Sequence, residues 1–104
     1  MKDYLVDFRK MKWESSGPGR HFKALIRGGK KIRLLKLSHE FNEQDWCTKG
    51  HIGYVLEGRF IIDFDGISIK YRKGDGLFIP QGEANKHKAI IAKGEVLLIM
   101  IEDV

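Results

Sequence analysis

The 104-residue sequence predicts an all-β protein, either an antiparallel sandwich of two layers or a closed barrel. Short runs in which apolar and polar residues alternate recur from residue 22 onward. Turns that contain glycine separate these runs, and the only weak helix signal lies within residues 1–12. Many short strands joined by tight turns are typical of sandwiches and barrels, whereas helical folds need longer runs with a 3.6-residue period.

The N-terminal part of the chain is the least regular. Residues 1–12 fit a short helix and an extended segment equally well. Residues 14–20 (ESSGPGR) predict a loop, because two glycines flank a proline after paired serines. We therefore expect an arm over residues 1–21 and one barrel domain over residues 22–104, a length that buries one moderate core.

The remaining elements are predicted to be strands, in a regular order along the chain. The runs lie at residues 22–27, 31–37, 51–56, 59–64, 67–72, 77–79, 86–91 and 95–101. Gly28-Gly29, Glu57-Gly58 and Asp65-Gly66 supply tight turns, and residues 39–49 form a polar connection. The 51–56 run has apolar residues on both faces, which predicts that it packs against a second sheet or a partner subunit.

Composition and charge argue against several classes of protein. The net charge of +5 comes from nineteen Lys and Arg residues spread among fourteen acidic ones, without the motifs of nucleic-acid binders. No apolar run approaches the roughly 20 residues of a membrane helix. The charged N-terminus does not resemble a signal peptide, and one cysteine forms no internal disulfide. We expect a cytoplasmic protein that binds neither nucleic acid nor membrane.

Two stretches resemble the sequence motifs of the cupin family. Residues 51–58 (HIGYVLEG) resemble the end of the first motif, in which a Glu or Gln ligand precedes a glycine by seven positions. Residues 74–82 (GDGLFIPQG) resemble the start of the second, with Gly, Pro and Gly at fixed spacing. Fifteen residues separate Gly58 from Gly74, as in small cupins. The resemblance spans about residues 22–101 and implies a jelly-roll barrel, a homodimer and one metal ion in the barrel mouth.

The residues at the motif's ligand positions differ from those of the family. His51 stands at the acidic ligand position, and Asn85 stands where the second motif has a histidine, with His87 two residues later. Two pairs are candidates for the histidines of the first motif: Gln44 with Trp46, or Asp45 with Cys47. The resemblance therefore implies a remodelled ligand set.

Strand alternation predicts where a remodelled set would lie. Because Lys86 and Lys88 are expected to face water, Asn85 and His87 should face the barrel interior. His51 is inward by motif register and Cys47 lies four residues before it, so we expect Cys47, His51 and His87 to converge on one metal ion. A thiolate with two imidazoles suits zinc or iron and leaves one coordination position open. Alternatively, the histidines are hydrogen-bonded lining residues and Cys47 a small buried apolar one.

Three further residues are predicted to bind a ligand: Asp45, Trp46 and Asn85. Asp45 and Asn85 are also candidates for a fourth metal donor, while Trp46 fits either ring stacking or a plug in the core. The function we favour is a barrel that binds a small polar molecule in its cavity, with or without one divalent metal ion. The alternative is a zinc or iron enzyme of isomerase, lyase or oxygenase type that uses Cys47, His51 and His87. A third hypothesis is a scaffold that acts through its dimer interface.

Overall fold

The protein is an antiparallel, all-β structure, as the sequence predicts. The structure is a computed structural model that describes residues 4–104. Its strands are β1 Glu14–Ser15, β2 Arg20–Arg27, β3 Lys30–Ser38, β4 His51–Glu57, β5 Arg59–Asp63, β6 Ser68–Arg72, β7 Gly76–Ile79, β8 Lys88–Ile90 and β9 Glu95–Asp103. Two single-turn 3₁₀ helices lie at Phe8–Lys10 and Glu83–Asn85. Within the described part of the chain, no helix is long and apolar enough to cross a membrane.

The strands form two sheets that pack face to face. One sheet has six strands in the order β1-β2-β3-β9-β4-β7, and the other has three in the order β6-β5-β8. Strands β9 and β3 lie in the middle of the large sheet although they are distant in sequence, which is the crossed connectivity of a jelly roll. Between the layers, Phe60 and Ile62 of β5 belong to one buried apolar cluster with Leu35 and Leu98 of the large sheet.

Along the strands of the large sheet, every second side chain is buried on the inward face, as the alternation in the sequence predicts. On β9 the buried residues Val96, Leu98 and Met100 alternate with more exposed neighbours. The same alternation continues to Glu102, and on β3 it continues from Leu35 and Leu37 back to Arg33. The inward face therefore changes from apolar to charged at one end, where the buried Arg33 and Glu102 lie.

The N-terminal arm contributes to the large sheet. Strand β1 pairs with β2, with Glu14 opposite Phe22, and β2 begins at Arg20, slightly before the predicted boundary at residue 22. Only Phe8–Lys10 is helical in the region with the weak helix signal, and residues 1–3 lie outside the described residues. The division into an arm and a barrel stays a prediction.

Gly58, in the turn between β4 and β5, is predicted to tolerate no side chain. Its φ is +80°, and a Cβ there would overlap the carbonyl oxygen of Glu95. Gly29 has nearly the same φ, +77°, but its Cβ would meet open space. We expect Gly58→Ala to lower the free energy of unfolding by about 3 kcal/mol and Gly29→Ala by only about 1 kcal/mol, because only the first adds a backbone clash to left-handed strain. Urea denaturation measures both values, and equal losses would contradict the clash.

Candidate metal centre

The structure brings Cys47, His51 and His87 together at one end of the barrel interior. One side-chain donor atom from each residue lies within 4.8 Å of the other two. Cys47 Sγ is 3.6 Å from His51 Nε2, and the two imidazole rings meet edge to face with their centroids 5.1 Å apart. Both histidines are buried, and Cys47 is half-buried. The predicted convergence is therefore present, while the role of these residues as ligands stays a prediction.

Backbone pairing explains why residues from three chain segments meet. Cys47 lies in the connection between β3 and β4, and His87 lies just before β8. The two residues form an isolated antiparallel bridge, in which each backbone N–H donates to the other residue's carbonyl at 2.9 and 3.0 Å. Residues paired in this way project their side chains to the same side. His51 is the first residue of β4, opposite Ile79 of β7, and completes the group from the large sheet.

Glu102 fixes the orientation of the His51 ring. Because Ile52 pairs with Ile101, His51 and Glu102 are neighbours on the inward face of the large sheet. His51 Nδ1 lies 2.6 Å from Glu102 Oε2, and since a carboxylate only accepts, Nδ1 carries the hydrogen. The other nitrogen, Nε2, faces Cys47; it donates to the thiolate when the ring is protonated and is available to a metal ion when the ring is neutral. A carboxylate behind an imidazole is the usual outer partner of a metal-binding histidine.

Two basic residues contact the Glu102 carboxylate. Arg33 Nη2 donates to Glu102 Oε2 at 2.9 Å, and Arg33 Nε forms an ion pair with Oε1 at 2.7 Å. Lys31 Nζ approaches Oε1 to 3.8 Å. Burial by itself raises the pKa of Glu102, but the hydrogen bonds from His51 and Arg33 outweigh burial and lower that pKa to about 2. Glu102 is therefore a carboxylate at neutral pH.

The second imidazole is oriented by the backbone. His87 Nδ1 lies 2.9 Å from the carbonyl oxygen of Asn85, which only accepts, so Nδ1 again carries the hydrogen and Nε2 is the nitrogen left for Cys47 or a metal ion. The ring also contacts Phe64, with a centroid distance of 5.9 Å. Its hydrogen bond with Cys47 raises the pKa of His87, and burial opposes this effect. Both rings thus present Nε2 and hold Nδ1 in a hydrogen bond to oxygen.

The two imidazoles shift the titration of the Cys47 thiol. Hydrogen bonds from His51 and His87 lower the pKa of Cys47 from 9.0 to about 6, and burial opposes the shift. Burial also lowers the pKa of His51, but its hydrogen bonds with Cys47 and Glu102 outweigh burial and raise that pKa to about 8. At pH 7 the group therefore contains a thiolate, the form of cysteine that binds metals.

This thiolate makes the alkylation rate of Cys47 a test of the geometry. For metal-free protein we expect the iodoacetamide rate to rise with pH through a midpoint near 6, because the thiolate is the reactive form. In His51→Gln the midpoint should rise by roughly one unit or more, since the largest cause of the shift is lost. A midpoint near 9.0 in the unaltered protein would show that the three side chains do not meet.

The group opens into a cavity of about 850 Å³. The walls of this cavity are mainly apolar and come from both sheets, with Phe60 and Ile62 on one side and Leu35 and Met100 on the other. Charged residues also line the cavity, most of them at the ends of the central strands β3 and β9: Arg20, Lys30, Lys31, Arg33, Glu43, Lys49, Glu102 and Asp103. A molecule in this cavity would meet the Cys-His-His group at one end and apolar side chains along its length.

Comparison with solved structures identifies the fold. An RmlC-like cupin from Shewanella frigidimarina superposes with a TM-score of 0.78 at 18% identity, covering 99% of this chain and 93% of the other. KdgF from Halomonas sp. gives 0.76 at 16% identity, with 100% and 96% covered. The chain has the cupin fold. The polyketide cyclase RemF from Streptomyces resistomycificus gives 0.79 at 19% identity, with 98% and 80% covered. No family model and no curated protein matches the sequence.

The three other residues predicted to bind a ligand are not among those that line the cavity. Asp45 is exposed in the β3–β4 connection. Trp46 packs its ring under Lys86 and Lys88, whose Nζ atoms are 5.4 and 4.7 Å from the ring centroid. Asn85 ends the second 3₁₀ helix and reaches the site through its backbone carbonyl. The strand alternation used to place Asn85 inward does not extend back to it, because the helix interrupts the strand. Ligand binding by these residues stays a prediction.

Glu102 and Arg33 are the site residues that the sequence analysis missed. Both could have been found from their position in the strand alternation. Glu102 continues the inward series Val96, Leu98 and Met100 on β9, and Arg33 continues the inward series of Leu35 on β3. A charged residue in register with a buried apolar series indicates a paired or functional group. This signal identifies two buried charges, but only the strand order β3-β9-β4 shows that they meet His51.

Proposed function

We propose that this cupin barrel holds one divalent transition-metal ion, zinc or iron, and uses it to bind a small molecule in its cavity. The observation that carries the proposal is the convergence of Cys47 Sγ and two imidazole Nε2 atoms whose Nδ1 atoms are both held by oxygen. Packing alone would not require both rings to present the same nitrogen to one thiolate. In metal centres the ligating histidines usually donate the other ring N–H to an oxygen, as both rings do here.

The spacing of the donor atoms fits a small tetrahedral ion. Bonds of about 2.3 Å to sulfur and 2.0–2.1 Å to nitrogen place tetrahedral ligands roughly 3.5 Å apart. Cys47 Sγ and His51 Nε2 are 3.6 Å apart, and the donor atoms of the whole group lie within 4.8 Å of one another. A tetrahedral ion would require the most distant donor atoms to move closer by roughly 1 Å. The mixed sulfur and nitrogen set disfavours magnesium and calcium, which take oxygen ligands.

The ligand would contact both the metal ion and the apolar walls of the cavity. Three protein donors leave one position open, and an ion there would act as a Lewis acid toward an oxygen or nitrogen of the ligand. Phe60, Ile62 and Met100 offer apolar contact to the rest of the molecule. We therefore propose a small molecule with one polar end that coordinates metal and a less polar body, rather than a molecule that is polar throughout.

Metal analysis tests the proposal directly. Protein purified after growth with added zinc or iron should contain about one ion per chain. Cobalt-loaded protein should show the intense near-ultraviolet absorption of a thiolate–cobalt bond. Added azide should shift the visible bands if a coordination position is open. Metal at background level after supplementation would overturn the proposal, and unchanged bands with azide would remove the open position.

Catalysis by the same group is the second candidate. The open coordination position toward an enclosed cavity favours it, as does the likeness to a protein named a polyketide cyclase. Under this candidate, His51 and His87 would hold the ion while Glu102 fixes the His51 ring. Turnover of a bound compound by metal-loaded protein, lost on chelation, would favour catalysis. Binding without conversion would favour the binding function.

A further inference from the structure

Arg20 is a charged residue of the cavity wall that lies far from the Cys-His-His group. It begins β2 and pairs with the buried Leu37, and because antiparallel partners share a face, its side chain lies on the inward face and lines the cavity. Leu37 pairs in turn with Val96, and the inward series runs along β9 from Val96 to Glu102 in three steps of two residues. Those steps cover roughly 20 Å of strand. Arg20 and the proposed metal position therefore lie toward opposite ends of the inward face.

The loop before β2 and the Phe41 ring fix the position of Arg20. Gly19 has a φ of +68°, and a Cβ there would overlap the backbone nitrogen of Phe41. Glycine therefore lets this loop approach the chain that follows β3, where the Gly19 carbonyl accepts a hydrogen bond from Ser38 N at 2.9 Å. The guanidinium carbon of Arg20 lies 5.6 Å from the centre of the Phe41 ring, which also lines the cavity. This cation–π contact holds the charge at the cavity wall.

The Arg20 guanidinium has no anionic partner in the part of the chain that the structure describes. Its Nε is buried, and no residue from 4 to 104 accepts a hydrogen bond from it. Glu43 also lines the cavity, but its Oε1 accepts a hydrogen bond from Ala89 N at 2.8 Å. At the other end of the inward face, by contrast, Arg33 is paired with Glu102. Because a buried donor without a partner lowers stability, an unpaired guanidinium in a cavity wall indicates that an anion completes it.

We propose that Arg20 binds the carboxylate of the ligand, so that the cavity takes an organic acid whose acid group lies away from the metal position. The second part of this statement rests on the proposed metal function, whereas the contact with Arg20 does not. A guanidinium presents paired N–H donors that match the two oxygens of a carboxylate. The walls near Arg20 include Phe41, Leu37 and Leu35, and in such apolar surroundings a charged hydrogen bond is stronger than in water.

The charges around the cavity favour an anion with a single charge. Five basic and three acidic side chains line the cavity, so an anionic molecule reduces the imbalance. A carboxylate carries one negative charge, whereas a phosphate ester carries about 1.5 to 2 at neutral pH. One unpaired guanidinium therefore matches a carboxylate better than a phosphate.

Titration calorimetry with octanoate and 1-octanol tests the contact with Arg20. The two probes have the same chain length, and only octanoate is charged. Metal-free, full-length protein should bind octanoate at least about 10-fold more tightly than 1-octanol. Arg20→Met keeps a long side chain but removes the charge, so it should weaken octanoate binding about 10–100-fold and leave 1-octanol binding unchanged. Arg20→Gln gives the same test if Arg20→Met fails to fold.

Lys30→Met is the matched control. Lys30 also lines the cavity, but its side chain is exposed and already pairs with Asp103. The variant therefore loses the same charge as Arg20→Met and should bind octanoate as tightly as the unaltered protein. Octanoate that fails to bind more tightly than 1-octanol would overturn the proposal. So would an octanoate affinity that Arg20→Met leaves unchanged, or octyl phosphate that binds more tightly than octanoate.

Metal measurements keep this proposal separate from the metal function. Arg20→Met should retain the zinc content of the unaltered protein, because Arg20 is not part of the Cys-His-His group. Octanoate should leave the visible bands of cobalt-loaded protein unchanged, and a shift of these bands would place the carboxylate on the ion and overturn the proposal. Octanoate selectivity that depends on Arg20 in a protein that binds no zinc would support the role of Arg20 and contradict the metal centre alone.

Discussion

His51→Ala should lower the affinity of the protein for zinc at least about 100-fold, more than the loss of an outer hydrogen-bond partner usually costs. The substitution removes one of the three donor atoms of the group and leaves only those of Cys47 and His87. Competition with a chromophoric chelator at pH 7.5 measures the change. The variant purified from metal-supplemented cells should contain zinc and iron at background level only.

Two histidines outside the site supply the controls for this experiment. His39 is exposed in the β3–β4 connection, and His21 lies on the outer side of β2, opposite Lys36. His39→Ala and His21→Ala should bind zinc as tightly as the unaltered protein. Circular dichroism shows whether His51→Ala keeps its sheets. A folded His51→Ala variant with one tightly bound zinc ion per chain would contradict the proposed site.

Glu102→Gln should reduce both stability and metal affinity. The substitution leaves the buried Arg33 without its charge partner and weakens the hold on the His51 ring. Breaking a buried ion pair by removing one partner costs about 3 kcal/mol or more, and losing the outer partner of a metal-binding histidine costs about 10–100-fold in affinity. Urea denaturation of metal-free protein at pH 7 and zinc competition measure the two effects separately.

The stability effect of Glu102 should depend on pH in a defined direction. The folded state lowers the pKa of Glu102 from 4.5 to about 2, so the carboxylate stabilises the fold fully above pH 4.5. This stabilisation is lost as the pH falls from about 4.5 to 2, and the difference between Glu102→Gln and the unaltered protein should shrink over that range.

Asp103→Asn is the matched control for Glu102→Gln. Its carboxylate pairs with Lys30 on the surface, and both side chains are exposed. Such pairs contribute about 0–1 kcal/mol, so the substitution should change the free energy of unfolding little. Equal effects of the two substitutions at pH 7 would contradict the assigned role of Glu102.

The fold was predictable because alternation and turns are local properties of the sequence. The series Val96, Leu98 and Met100 shows its buried face directly, and Gly58 shows its turn. The order of strands in the sheets rests on long-range pairing, such as β3 with β9, which no local pattern specifies. The resemblance to the cupin motifs supplied that information.

The site was only partly predictable, because it also depends on long-range strand pairing. Motif register and alternation placed His51 and His87 on inward positions, and the structure brings them to Cys47. Asn85 was placed inward by the same alternation, but a 3₁₀ helix occupies residues 83–85. Glu102 lies 51 residues from His51 and reaches it only across the β4–β9 pair, so the contact depends on register that the sequence does not show.

X-ray absorption spectroscopy of zinc-loaded protein tests the central claim most directly. We expect one sulfur atom at about 2.3 Å and two imidazole nitrogens at about 2.0–2.1 Å, with the sulfur lost in Cys47→Ser. A coordination shell of nitrogen and oxygen alone in the unaltered protein, or a spectrum that Cys47→Ser leaves unchanged, would contradict a metal centre built on Cys47, His51 and His87.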